Sequence, residues 1–160
     1  MAKIFVTVGT HPMSFHRLTN EIDSLISDRK TKDTFFAQIG STNQKPKFPS
    51  KELISEKEYN KKFSWADIVI SHGGAGSIIH TLAAGKKLII VPRLKKFKEH
   101  INDHQIDLAK LLEKQGKCLA VYDIKNLGST IQRAKKFKYN SQKEKNQIGN
   151  RIEEFISANF

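Results

Sequence analysis

Apolar positions along the chain alternate between two spacings. Lys3 to Val8 is a run of apolar and β-branched residues that breaks at Gly9, which predicts a strand. From Pro12 to Ile26, the apolar residues Phe15, Leu18, Ile22, Leu25 and Ile26 recur at helical spacing. Thr34 to Ile39 predicts a second strand, closed by Gly40. Ser41 to Ser50 is polar and carries Pro46 and Pro49, so it predicts a loop. Glu52 to Ser55 predicts a short third strand, and Glu56 to Trp65 a helix. Asp67 to Ser71 predicts a strand that runs into His72-Gly73-Gly74. Ala75 to Ala84 then predicts a helix stopped by Gly85, and Lys87 to Val91 a strand closed by Pro92. Ile101 to Lys114 predicts a helix ending near Gly116, with Ile106, Leu108, Leu111 and Leu112 on its apolar face. Lys117 to Tyr122 predicts a last strand, and Ile124 to Lys136 and Ser141 to Ala158 predict two further helices.

This strand–helix alternation predicts one α/β domain over residues 1–160, with a parallel sheet and helices on both faces. No internal repeat or long linker divides it. Sheets of this kind bind ligands at the carboxyl ends of their strands. Attention therefore falls on the turns after Val8, Ile39, Ile70 and Val91.

Composition narrows the picture. The chain has 160 residues, 38% of them hydrophobic, enough for a core without disulfides. The single cysteine, Cys118, cannot form an internal disulfide and reads as a buried apolar residue on a strand. No apolar run approaches the ~20 residues of a membrane span, and residues 1–6 read as a strand rather than a signal peptide. These features predict a cytoplasmic protein. The net charge of +12 suits anionic partners: nucleic acid, anionic lipid or a phosphorylated ligand. Much of the excess lies in two clusters, Lys95, Lys96 and Lys98 around Phe97, and Arg133, Lys135, Lys136 and Lys138 around Phe137. Each reads either as a solvated basic surface or as a contact with an anionic membrane, where a basic residue contributes ~1 kcal/mol.

The segment Ser71-His72-Gly73-Gly74-Ala75-Gly76-Ser77 carries the clearest chemistry. It follows an apolar strand and opens a helix. Glycines permit close backbone approach, and amides at a helix start attract anions. Ser77 adds a hydroxyl donor. A diphosphate fits this arrangement; a purely structural tight turn is the alternative. The Gly-Lys-Ser/Thr of a P-loop is absent, and the first strand–turn, Val8-Gly9-Thr10-His11, is a second small-residue loop at the same sheet edge. A third loop, Pro92 to Gln105, places Asn102, Asp103, His104 and Gln105 at a helix start, where Asn102 or Asp103 serves as N-cap and Gln105 can read hydroxyls. His100 and His104 have a metal-permitting spacing. However, Lys95, Lys96 and Lys98 would repel a cation, so no metal is expected.

In this order, the motifs resemble the C-terminal, donor-binding half of family 28 glycosyltransferases, a Rossmann-like domain of the GT-B architecture. They are Phe5-Val6-Thr7-Val8-Gly9-Thr10, Gln38-Ile39-Gly40, Ala66 through Ser77, Leu88 through Arg93, and Glu99 through Gln105. The resemblance extends to stand-alone versions of this half: bacterial exopolysaccharide and capsule subunits, and the catalytic subunit of the dolichol-linked GlcNAc transferase. It implies that Gly73, Gly74, Ala75, Gly76 and Ser77, with His72, hold the diphosphate of a UDP-sugar. It implies that Gly9 and Thr10 line the same cleft, that Gln38 and Gly40 lie near the nucleotide, and that Glu99, Asn102, His104 and Gln105 approach the sugar or phosphates. Arg93 would assist. Many relatives carry a ribose-binding glutamate where this chain has His80, whose ring can still bond a hydroxyl. The resemblance implies no cofactor beyond the UDP-sugar substrate.

A complete GT-B enzyme has two such domains. The expectation is therefore a transferase subunit whose membrane-anchored partner supplies the acceptor half, brings it to the cytoplasmic face of a membrane and presents a lipid-linked acceptor. A general base must take the acceptor's proton, and His11, in the first strand-end loop, is the candidate. Two other readings are a non-catalytic nucleotide- or nucleic-acid-binding module, which lacks evident stacking platforms, and an accessory subunit that enhances a separate transferase.

Overall fold

A computed structural model describes residues 1–138, 150, 153–154 and 157–158. Six strands form one sheet: β1 (Lys3–Thr7), β2 (Thr34–Gln38), β3 (Ser50–Lys51), β4 (Ile68–Ser71), β5 (Lys87–Ile90) and β6 (Leu119–Ala120). Their order is β3-β2-β1-β4-β5-β6, and every pairing is parallel. This is the order of a Rossmann-like domain, with its switch point between β1 and β4. The register places Ile4 beside Phe35 and Ile68. Strands covered on both faces are apolar throughout rather than alternating, and β4, Ile-Val-Ile-Ser, is buried at every position.

Residue parity assigns the helices to faces. Ile4, Val6, Ile68, Ile70 and Ile89 point to the face covered by α1 (His16–Ser27) and α5 (Leu127–Lys136), through Leu18, Ile22, Leu127 and Ile131. Phe5, Phe36 and Val69 point to the other face, where Phe63 of α2 (Glu56–Trp65) covers them. Leu88 and Ile90 meet Ile78 and Leu82 of α3 (Ala75–Ala83) and Leu108 and Leu112 of α4 (His104–Lys114) on that same side. Cys118 is buried in this second cluster.

Several boundaries differ from the sequence expectation. The third strand is Ser50–Lys51 rather than Glu52 to Ser55. Ala37 N–H bonds Pro49 O, while Ile39 and Gly40 N–H bond Lys51 and Glu52 O. The chain then leaves the sheet, with Leu53 exposed and Ile54 packed against the Phe5 cluster. The first helix starts at His16 rather than Pro12, and the fourth at His104 rather than Ile101. A 3-10 turn occupies Lys95–Phe97, and another, Ile124–Asn126, leads into α5. The helix expected over Ser141 to Ala158 lies outside the described residues except at 150, 153–154 and 157–158, which are helical.

Candidate functional site

The loops after β1 and β4 meet at the switch point, and His72 is the piece between them. A side chain added at Gly9 would place its Cβ 2.7 Å from His72 Cε1, and one at Gly74 would sit 2.5 Å from His72 Nε2. Both positions must be glycine for the imidazole to fit, and Gly9 also has φ +70°. His72 Nδ1 lies 3.3 Å from Thr7 O. Burial, then the Arg93 charge, lowers its pKa to about 4, so the ring is neutral at physiological pH.

Gly74 is the N-cap of α3. The first helical bond runs from Ile78 N–H to Gly74 O, 3.1 Å, leaving the amides of Ala75, Gly76 and Ser77 ahead of it for an anion. The Ser77 hydroxyl reaches Ser71 Oγ at 2.6 Å and donates to Gly74 O at 3.0 Å. A Cβ at Gly73 (φ +95°) would come within 3.2 Å of Gln105 Cβ, which sets how closely α4 approaches. A cavity of about 210 Å³ lies between these elements, lined by Gly73, Gly74, Ala75, His100, His104 and Gln105.

Arg93 organises the loops beneath. It is 1% exposed. One terminal nitrogen donates to Val8 O (2.8 Å), the other to Met13 O (2.7 Å) and Glu99 O (3.1 Å). The Arg93 amide donates to Gln105 Oε1 at 3.0 Å. Burial lowers the guanidinium pKa to about 10 against the opposing effect of Glu99, so the cation persists. Glu99 is also buried. It takes two hydrogen bonds from Arg17, both 2.9 Å, and one from Leu94 N–H, 2.9 Å. Apart from Arg93 Nε, which is buried without a hydrogen-bond partner, both residues thus spend their polar groups on holding the loops in place.

At the α4 start, Asp103 holds the N-cap position, but its carboxylate accepts from Lys95 N–H at 2.8 Å. Asn102 Oδ1 accepts from His104 N–H at 3.2 Å. His11 lies against His100, ring centroids 4.8 Å apart and the rings tilted by 31°. Its Nδ1 accepts from Met13 N–H at 3.2 Å, and His100 Nδ1 accepts from Asn102 N–H at 3.3 Å. In the neutral rings this leaves the proton on Nε2 of each. Burial, then Arg93 and His100, lowers the His11 pKa.

The structure therefore brings together Gly9, His11, His72, Gly73, Gly74, Ala75, His104 and Gln105. Thr10 and Gly40 line a neighbouring cavity of about 440 Å³ with Ser41, Asn43 and Glu52. Gln38 is buried at the end of β2. His80 faces α2, stacked on Phe63 at 4.0 Å and near Tyr59 at 5.8 Å. His100 was not among the expected donor-binding residues. Its signal in the sequence is the spacing to His104, which permits a metal but stands beside Lys95, Lys96 and Lys98, which would repel a cation.

Residues 3–158 match the family model "Glycosyltransferase family 28 C-terminal domain". The human UDP-N-acetylglucosamine transferase subunit ALG13 is 37% identical over 126 residues, covering 72% of this chain and 11% of that protein. The Debaryomyces hansenii subunit of the same name is 43% identical over 65 residues, 39% of this chain and 29% of that protein. The chain thus spans about a tenth of the human relative's length. Among solved structures, an NMR structure of ALG13 superposes with TM-score 0.61 at 17% identity, covering 95% of this chain and 94% of that one. Acinetobacter baumannii MurG does so at 0.59 and 16%, covering 96% and 52%. These two likenesses establish the fold.

Proposed function

The chain belongs to the glycosyltransferase family 28 C-terminal domain family, and from that premise we propose that it is the donor-binding subunit of a two-component glycosyltransferase using a UDP-sugar. The observation that carries this reading is the packing of His72 between Gly9 and Gly74. It opens the first turn of α3 toward the cavity where His104 and Gln105 converge.

In this reading the acceptor hydroxyl oxygen attacks the anomeric carbon while the bond from that carbon to the diphosphate oxygen breaks. The Ala75–Ser77 amides and the α3 dipole stabilise the charge that develops on the leaving UDP. Gln105, fixed at one oxygen by Arg93 N–H, retains its amide donors for a sugar hydroxyl. His11 is the proposed proton acceptor on this chain. Uptake at its Nε2 requires the other tautomer, reached by giving up the Met13 N–H bond, at a cost of about 1 kcal/mol. A membrane-anchored partner would supply the second domain and a lipid-linked acceptor, and recruit the chain to the cytoplasmic face.

Calorimetric titration with UDP, with ADP and a short RNA as controls, tests the donor site. UDP is expected to bind, Ser77→Ala to weaken it about fivefold, and Gly74→Val to abolish it while circular dichroism stays native. Tight RNA binding without UDP affinity, with or without the co-expressed partner, would sink the reading. For His11, His11→Ala should lower kcat of the reconstituted pair at least about 100-fold and leave UDP affinity near the wild-type value. Unchanged turnover removes His11 as the base.

A further inference from the structure

The two basic clusters, each built around a phenylalanine, end up at opposite edges of the sheet with opposite fates. The α5 cluster lies at the amino-terminal edge. Lys135 Nζ pairs with Asp33 at 2.8 Å just before β2, and Lys87 at the start of β5 donates to Lys135 O at 2.5 Å. Phe137 there is packed against the main core. The Lys95–Ile101 turn lies at the carboxyl-terminal edge, on the rim of the candidate site, and its apolar groups are outside. Phe97 is 51% exposed and Ile101 67%.

That exposure is held in place. Phe97 N–H bonds Leu94 O, Lys98 N–H bonds Lys95 O, and Glu99 N–H bonds Leu94 O. Lys98 takes φ +57° to close the turn. The Glu99 carboxylate bonds Leu94 N–H, and Asp103 bonds Lys95 N–H. One acid of the turn, Glu99, is buried and paired with Arg17. Arg17 and Lys96 place their cations 5.2 and 4.9 Å from the Phe97 ring centroid. A buried ion pair and several backbone bonds thus hold Phe97 in water between Lys95, Lys96 and Lys98, with Ile101 exposed just beyond them.

We propose that the Lys95–Ile101 turn docks on an anionic phospholipid surface. Phe97 and Ile101 enter the interfacial layer, and the three lysines meet the headgroups. Amphipathic segments with cations beside apolar side chains bind in this way, and a turn already fixed in shape loses little entropy on binding. Among the described residues no helix is long and apolar enough to cross a membrane, so the contact is peripheral. It would bring the candidate site to the bilayer surface on its carboxyl-terminal edge.

Co-sedimentation with vesicles of phosphatidylcholine alone, and with phosphatidylglycerol added, tests this without reference to UDP. The wild-type chain should bind the anionic vesicles, bind the neutral ones far less, and be released by salt. Exchanging Lys95, Lys96 and Lys98 for glutamine should lower anionic binding roughly 100-fold. Phe97→Ser with Ile101→Ser should lower it at least about tenfold with an unchanged melting temperature. Arg133→Gln with Lys136→Gln, at the other edge, should change it less than about threefold. Equal binding to neutral vesicles, or wild-type binding by both turn variants, overturns the proposal and assigns the exposed turn to a protein partner. Loss confined to the α5 variant overturns it in favour of the opposite edge.

Discussion

His72 fills the space between Gly9 and Gly74, and its neutrality has a measurable consequence. Burial and Arg93 hold its pKa at about 4 in the folded chain, against about 6.5 when unfolded. Between those values the unfolded chain carries a proton that the folded one does not, so stability rises with pH across that window. The contribution is complete above about pH 6.5 and is lost as the pH falls toward 4, on the order of 3 kcal/mol in all. His11, whose pKa is also lowered, adds to the same trend. Urea midpoints at about pH 7.5 and about pH 5 should differ accordingly, and His72→Gln should flatten the difference. An unchanged midpoint would mean that His72 accepts a proton in place. Individual residues were only partly legible from sequence. Glycines at the strand ends announced a ligand edge, but nothing local showed that Gly9 and Gly74 clasp the same ring across 65 residues of chain. Nor did the sequence reveal that Arg93 and Glu99 face inward. A charged residue in a polar loop reads as a ligand contact until its carbonyl partners, drawn from the loops after β1 and β5, are in view.

At the level of elements, helix ends were clearer than helix starts. Gly85 and Gly116 both take positive φ, +66° and +67°, with open space where a Cβ would go. They close α3 and α4 for the backbone reason the sequence implied. Since no neighbour would be struck, Gly85→Ala isolates the strain of a left-handed residue and should cost about 1 kcal/mol, read as a lower urea midpoint with a native spectrum. A neutral or stabilising result would mean that the turn relaxes to another shape. The sequence pattern sets the starts of α1 and α4 too early because Phe15 and Ile101 extend the apolar periodicity beyond the helix itself. Phe15 is buried as the N-cap of α1, whereas Ile101 points into water. The third strand shifted because a two-residue edge strand is too short for any alternation to mark it.

For the molecule as a whole, the strand order follows from what lies between strands. Each crossover must return to the same edge, and a right-handed connection leaves few ways to do so. The alternation along the chain therefore foretold the architecture well. It did not foretell which surfaces stay open, because that depends on the sheet edge each loop occupies. Phe97 and Phe137 sit in similar basic surroundings in the sequence, yet one is exposed and the other packs on the core.

The same order bears on synthesis. β1 is central, flanked by β2 and β4, and Ile4 pairs with Ile68. At ~5–20 residues per second, a ribosome needs roughly 3–13 seconds to add the intervening chain. Through that interval one side of the apolar strand Ile4-Phe5-Val6 stays without its neighbour, an open template for any other extended chain nearby. The nascent chain is therefore most exposed to mispairing before residue 71 has left the ribosome, and chaperone engagement in that window should govern how much of it reaches the folded state.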